Sequence, residues 1–261
     1  MKKKSQSLLL LVMTVLLLVV ISSRVEPRMA GEYKEPAVTD DPVPETPEPE
    51  EAVQTVMTEP EEPIPLREIV PGISLSDWNM KLANNTSVLP ASFAPNVQKI
   101  RDDQYFDSRA AENLEQMLAA AEAEGYTVNV RAAYRPFSTQ AYLFNGRASQ
   151  IQWGTSMTLM EAETEARKVV AYPGTSEHQL GLCADIMDSP STTMDASAAN
   201  LPLLHWLTEH CAEYGFILRY PENKKEITGW YEPWHFRYVG TDAAKYIMEN
   251  DLCLEEFIEK Y

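Results

Sequence analysis

Cysteine is scarce in this 261-residue chain, which contains only three, and histidine is nearly as rare with four. No Cys-x-x-Cys pair occurs, so a metal site built from paired thiolates is not indicated. Basic residues are also few, since 22 lysines and arginines stand against 39 aspartates and glutamates, for a net charge of -17. No basic stripe opposes this acidity, which argues against a nucleic-acid partner.

Long apolar runs are missing except near the N-terminus. Residues 8–21 are apolar apart from Thr14 and follow three lysines at positions 2–4. This run is short for a membrane-spanning helix, which needs about 20 residues, and is typical of the core of a signal peptide. Flanking serines could extend it into an anchor. We predict that residues 1–25 are a signal peptide or a membrane anchor and that the remainder is exported.

The acidity is concentrated in one proline-rich segment. Residues 35–62 contain ten acidic residues and no basic one. Such a segment buries too little apolar surface to offset the entropy of ordering it, and its charges repel one another. We therefore predict that residues 26–66 form an extended, disordered linker. A single folded domain over residues 67–261 is expected to follow it.

The three cysteines all lie in that expected domain, at Cys183, Cys211 and Cys253. An odd number leaves at least one thiol unpaired. Cys211 and Cys253 could form a disulfide, but all three could equally be buried free thiols that pack as small apolar residues. Both alternatives remain open from the sequence.

The spacing of apolar residues predicts a mixture of helices and strands. A helix is expected over residues 107–124, ended by Gly125, and another is expected to be capped by Ser138. Further helices are predicted at residues 161–170, 200–214 and 241–250, and strands at residues 126–132, 182–187, 216–219 and 235–239. Helices come early and strands cluster later, which favours the α+β class.

Two short motifs carry candidate chemistry. TSEHQLGLCADI places His178 seven residues before Asp185, and GWYEPWHFRYVG places Glu232 three residues before His235. His178, Asp185 and His235 would offer two nitrogens and one oxygen, which leaves the fourth position of a tetrahedral zinc site open, as in catalytic sites. Glu232 is then free to act as a base. The helical His-Glu-x-x-His motif is absent, so the architecture differs from that of the proteases that carry it.

Each motif alone is weak, because ordinary structural roles also fit. A histidine followed by an aspartate fits a surface loop that enters a strand, and Trp230 and Trp234 fit an apolar core. Arg135, in VRAAYRPFSTQ, fits a surface salt bridge. Cys183 is a possible soft ligand, but we interpret it as a packing residue.

Taken together, the motifs resemble the VanY-type D-alanyl-D-alanine carboxypeptidases. These belong to the zinc peptidase superfamily that includes lysostaphin-like enzymes and the hedgehog domain. The resemblance rests on Ser176-x-His178 with Asp185 and on Glu232-x-x-His235, and it extends to WNMKLANN, VRAAYRPFSTQ and LRYPENKKEITGWYEPWHFRYVG. It covers roughly residues 77–250, which is most of the expected domain.

The resemblance implies a fold, a cofactor and a set of site residues. The fold would be a single α+β domain with a small antiparallel sheet flanked by helices. A zinc ion would be held by His178, Asp185 and His235, with Glu232 as the catalytic base and Arg135 at the carbonyl or terminal carboxylate of the substrate. The remaining candidates are substrate contacts, with hydrogen bonds from Gln140 and Ser176 and a pocket wall from Trp234.

The resemblance also implies an activity outside the cytoplasm. The expected reaction is zinc-dependent removal of the terminal D-alanine from peptidoglycan stem peptides, by a protein attached to the membrane if the N-terminal segment is not cleaved. An L,D-carboxypeptidase that trims tetrapeptides shares the same machinery, and an endopeptidase is a weaker option. A cell-wall-binding module that has lost catalysis is a third class. Glu232 argues against that class, because a dead module would be free to lose its base.

Overall fold

The computed structural model describes residues 73–260. The predicted signal peptide or anchor in residues 1–25 and the predicted linker in residues 26–66 lie outside this range. The described residues fall within one unit, Glu62–Tyr261. Among them, no helix is both long and apolar enough to cross a lipid bilayer.

Short strands and helices alternate along the described part of the chain. The strands are β1 (Val97–Lys99), β2 (Tyr105–Asp107), β3 (Asn129–Ala132), β4 (Cys183–Met187), β5 (Phe216–Tyr220) and β6 (Glu232–Tyr238). The helices are α1 (Ala111–Ala123), α2 (Phe137–Trp153), α3 (Leu159–Ala166), α4 (Pro202–His210), α5 (Lys225–Thr228), α6 (Thr241–Glu249) and α7 (Leu254–Lys260). Single 3-10 turns at Trp78–Met80, Glu177–Leu180, Ala196–Asn200, Cys211–Tyr214 and Glu222–Lys224 join some of them.

A four-stranded antiparallel sheet in the order β3-β4-β6-β5 organises the fold. Residues paired directly across two strands share a face of the sheet. Ala184 pairs with Phe236, and both are core residues. Asp185 pairs with His235, so these two side chains share the opposite face. The sheet therefore has one apolar face and one face that carries predicted ligands.

Helices cover both faces of this sheet. The main apolar cluster joins Ile186 and Phe236 of the sheet to Leu114 of α1 and Leu207 of α4. Each fully buried side chain of this kind contributes about 1.5–3 kcal/mol of transfer free energy. A second cluster packs Ile217 of β5 against α6 and α7. The α+β class and the flanked antiparallel sheet are as expected from the resemblance.

Some local predictions were wrong in detail. Helix α2 begins at Phe137 after Pro136 and has no capping side chain, so Ser138 is not its cap. The predicted helix over residues 200–214 is an α-helix only to His210 and then tightens into a 3-10 turn. The strand predicted at residues 235–239 begins earlier, at Glu232. Of the two alternatives left open for the cysteines, the structure has the buried free thiols and not the Cys211–Cys253 disulfide.

Candidate active site and metal centre

The eight residues predicted for the site line one cavity of about 570 Å³. They come from the segment after β3, from α2, from the 3-10 turn before β4 and from β4 and β6. They are Arg135, Gln140, Ser176, His178, Asp185, Glu232, Trp234 and His235. The volume suits a small ligand, since such pockets typically span about 300–1,000 Å³. The individual roles of these residues remain predictions.

Backbone contacts fix the orientation of His178. It lies in the turn Glu177–Leu180, which ends at Gly181 with a left-handed φ of 70°. A Cβ at Gly181 would lie 3.3 Å from Pro95, so glycine is the residue that lets the chain turn here into β4. The Nδ1–H of His178 donates to the carbonyl oxygen of Ala133 at 2.6 Å. This bond fixes the proton on Nδ1, so Nε2 is the nitrogen that a metal ion would bind in place of a second ring proton.

Asp185 and His235 meet as directly opposed residues of β4 and β6. Nδ1 of His235 lies 3.0 Å from Oδ1 of Asp185, and Nε2 of His178 lies 3.3 Å from Oδ2 of Asp185. All three side chains are buried, yet the 3.0 Å contact is misaligned, and Asp185 Oδ1 and both ring nitrogens of His235 make no well-aligned hydrogen bond. Buried polar atoms normally have partners because desolvation is costly. A cation shared by these side chains would account for the arrangement.

The electrostatics of the cluster favour a cation. Burial disfavours a charged imidazole, but the negative charges of Cys183 and Asp185 raise the pKa of His178 to about 9. Burial likewise disfavours a charged carboxylate, but His178 and His235 hold the pKa of Asp185 well below its usual range. Two imidazole nitrogens and one carboxylate oxygen are a donor set found in catalytic zinc sites. These three residues therefore fit a zinc ion.

Glu232 reaches the same cluster because β6 is irregular. Its Oε2 lies 3.5 Å from Nδ1 of His235. Residues three apart in a regular strand point to opposite faces, but here the β5–β6 pairing shifts between Leu218, opposite Phe236, and Tyr220, opposite Glu232. Burial raises the pKa of Glu232, against the opposing effect of His235. A raised pKa moves a carboxylate toward the range that suits a general base.

Arg135 is held at the cavity by two partners. Its Nη1 donates to Oε1 of Gln140 at 2.8 Å, and its backbone N–H donates to the carbonyl oxygen of His178 at 2.9 Å. Gln140 is buried, and its Nε2 donates to the carbonyl oxygen of Ala171 at 2.7 Å. The amide of Gln140 thus orients Arg135, a positioning role that differs from the predicted direct contact with substrate.

Ser176 and Trp234 lie in the cavity wall. Ser176 directly precedes the turn that carries His178, and it is buried. Trp234 is 8% exposed and packs in the main apolar cluster while one part of it lines the cavity. The core role and the pocket role considered for this tryptophan are therefore compatible.

A buried charge network beneath the site was missed from the sequence. Oε1 of Glu177 accepts from Nε of Arg219 at 2.8 Å and from Nη1 of Arg237 at 2.7 Å, and all three side chains are fully buried. Arg219 also donates to both carboxylate oxygens of Glu255. Oε2 of Glu177 lies 3.7 Å from Nε2 of His235. The Glu177 carboxylate thus lies near Nε2 of His235, whereas Nδ1 of the same ring faces Asp185.

Cys183 lies closer to the histidines than its interpretation as a packing residue suggests. Its Sγ and one ring nitrogen each of His178 and His235 lie within 4.8 Å of one another. Burial would raise the pKa of the thiol, but the two histidines lower it to about 7. Residues two apart on a strand share a face, so Cys183 and Asp185 point the same way from β4.

A family model for VanY, described as a D-alanyl-D-alanine carboxypeptidase, matches residues 103–241. A D-alanyl-D-alanine carboxypeptidase from Enterococcus faecalis is 36% identical over 184 residues, which cover 70% of this chain and 66% of that enzyme. The chain thus spans about two thirds of the length of this relative.

Solved structures share both the sequence and the fold. A VanY D,D-pentapeptidase variant from a VanB-type resistance cassette, in complex with Zn(II), is 34% identical with a TM-score of 0.60, over 70% of this chain and 99% of its own. VanYB in complex with D-alanine-D-alanine is 35% identical with a TM-score of 0.61, over 70% and 98% of the two chains. The LD-carboxypeptidase LdcB is 36% identical with a TM-score of 0.60, over 74% and 93%.

These similarities extend over most of the described domain, and the VanY structures are covered along nearly their whole length. The family model spans more than half of the chain. The chain therefore belongs to the VanY family of D-alanyl-D-alanine carboxypeptidases and is a zinc-dependent carboxypeptidase.

Proposed function

We propose that this chain removes the terminal D-alanine from peptidoglycan stem peptides that end in D-Ala-D-Ala, outside the cytoplasmic membrane. The observation that carries the proposal is the convergence of His178, Asp185 and His235 on one cavity, with Glu232 3.5 Å from His235. The solved relative VanYB binds D-alanine-D-alanine, which supports this substrate end. Whether the chain stays at the membrane depends on the N-terminal segment.

The protein groups divide the chemistry between them. His178, Asp185 and His235 would hold the zinc ion, which supplies Lewis acidity that lowers the pKa of water and polarises a carbonyl. Glu232 takes the proton of the water that attacks the scissile carbonyl and later passes it to the leaving amine. Its half-buried position and raised pKa suit both transfers, since the group must bind and release the same proton.

Arg135 binds the substrate and does not ligate the metal. Its guanidinium lines the cavity and is fixed by Gln140, so its remaining donors need not reorganise during the reaction. A planar guanidinium can pair with a terminal carboxylate or stabilise the oxyanion that develops on attack. Ser176 adds a hydroxyl to the same wall, and Trp234 adds an apolar surface.

An L,D-carboxypeptidase is the second candidate. The observation that favours it is the similarity to LdcB, an LD-carboxypeptidase that is 36% identical. The zinc ligands and the base serve both reactions equally, so the difference must lie in the walls of the cavity. The residue on the acyl side of the scissile bond is D-alanine in one substrate and an L-centre in the other.

D-alanine release separates the candidates. The zinc-loaded full chain is incubated with a pentapeptide ending in D-Ala-D-Ala and with the corresponding tetrapeptide, with and without a chelator. We expect release from the pentapeptide, loss of release with the chelator and recovery on adding zinc. Release from the tetrapeptide alone would establish the L,D activity. A zinc-loaded, folded chain that cleaves neither peptide would overturn both carboxypeptidase candidates and favour a binding module.

Arg135→Ala should slow turnover without removing zinc. Arg135 contacts no metal ligand with its side chain, and losing one donor to a developing oxyanion costs about 10²–10³-fold in kcat. Arg135→Lys keeps the charge but loses the planar fork, so we expect an intermediate rate. Kinetics on a pentapeptide and its C-terminal amide show which group Arg135 binds. Wild-type rates in Arg135→Ala at full zinc occupancy would reduce Arg135 to a structural residue.

A further inference from the structure

Cys183 occupies an unusual position for a free thiol. It is the first residue of β4 and pairs with Arg237, two positions from the pair of Asp185 with His235. It is fully buried and belongs to none of the three apolar clusters of the described residues, whereas Cys211 belongs to the main one. Its surroundings are therefore those of the polar face of the sheet.

The thiol points into a set of ligating atoms. Cys183 Sγ and one nitrogen each of His178 and His235 lie within 4.8 Å of one another. His235 is 3% exposed, and neither of its ring nitrogens makes a well-aligned hydrogen bond. Cys183 is not among the residues that line the cavity, so its sulfur approaches from the sheet while the cavity side stays open to substrate.

We propose that Cys183 Sγ is an additional ligand of the metal ion, giving this centre a mixed nitrogen, oxygen and sulfur donor set. The inference rests on the proposed function, because it concerns the same ion that His178, Asp185 and His235 would hold. A thiolate is a soft ligand that favours zinc and cadmium over harder divalent cations. The thiol must lose its proton to solvent as the metal–sulfur bond forms. The sulfur would add a fourth protein donor from the sheet side and tighten the hold on the ion, and water or substrate would reach the ion from the cavity side, as expansion to five ligands allows.

Cobalt substitution tests sulfur ligation without relying on activity. The full chain is loaded with Co²⁺ in place of Zn²⁺, and absorption is recorded in the visible and near-ultraviolet ranges. We expect a thiolate-to-cobalt charge-transfer band in the near-ultraviolet for the wild type, its loss in Cys183→Ala and its retention in Cys211→Ala. Cys211 is a matched control, because it is also buried and free but packs in the apolar core.

Metal affinity gives a second readout. In competition with a chelator, Cys183→Ala should bind zinc at least ~10-fold more weakly, because even outer partners of a metal site contribute about 10–100-fold. Cys183→Ser preserves the size of the side chain and controls for packing. Visible cobalt bands without the near-ultraviolet band in the wild type would overturn the sulfur ligand and leave the proposed zinc site intact. A folded wild type that binds no cobalt or zinc would instead overturn the proposed function itself.

Discussion

Glu232→Gln should retain zinc and lose about 10²–10⁴-fold in the rate of D-alanine release, the range typical of general acid–base catalysis. Glutamine matches glutamate in size and can still hydrogen-bond water, but it cannot take the proton. The three proposed ligand side chains are untouched, so the metal should stay. Zinc content and kcat are measured on the same preparation. A glutamine variant as fast as the wild type would show that another group is the base.

His235→Ala provides the contrasting result, with loss of both metal and activity. It removes one of the proposed ligands, whereas Glu232→Gln removes only the proton acceptor. Glu226→Gln, an exposed residue of α5, is the control for a neutral change of charge near β6. If Glu232→Gln lost zinc and His235→Ala kept it, the two roles would have to be exchanged.

Glu177→Gln should lower the free energy of unfolding by about 3–5 kcal/mol, the cost of removing one partner from a buried ion pair. The change leaves Arg237 and Arg219 buried with one negative charge fewer, and neither guanidinium is exposed. Burial would raise the pKa of Glu177, but the two arginines hold it well below its usual range, so the charge is present in the native protein. Urea unfolding measures this loss of stability, provided that the dependence of the unfolding free energy on urea concentration is the same in both proteins.

Two conditions make the stability test specific. Both proteins are unfolded with chelator present, because a metal bound only to the native state would add its own stabilisation. Glu165→Gln breaks the exposed pair with Lys168, and such surface pairs contribute only about 0–1 kcal/mol. A loss of similar size for Glu177→Gln and Glu165→Gln would mean that the buried network contributes no more than a surface pair.

Helices with strong apolar periodicity were predictable from the sequence. Short strands and helices that depend on an unusual turn or on contacts with distant residues were not. Helix α1 lies within its predicted range because apolar spacing and Gly125 agree. The β1–β2 hairpin was missed because each strand has only three residues and its turn uses Asp102 and Asp103 in left-handed conformations without a glycine. Helix α7 was missed as well, and its buried Leu254 and Phe257 pack in a cluster that includes distant residues from α6 and β5.

The candidate metal ligands were predictable because they lie in short sequence motifs. The buried ion pairs were not, because their partners are far apart along the chain. His178, Asp185 and His235 could be chosen because zinc accepts few kinds of ligand and the family resemblance was specific. Arg219 sits in the otherwise apolar strand β5, and Arg237 follows the core residue Phe236 in β6, which signals a buried carboxylate partner. With 39 acidic residues in the chain, the sequence does not show that the partner is Glu177.

The proposed ligands come from segments that are distant along the chain, so a bound ion would also hold these segments together. Between Asp185 and His235 the chain passes through α4, β5 and α5 before it reaches β6. The ion would stabilise the native state relative to the unfolded chain, because the three proposed ligands come together only in the native state. Loss of the ion would free this half of the domain to open, and an opened chain is vulnerable to proteolysis. Metal supply would then set the working lifetime of the enzyme as well as its rate.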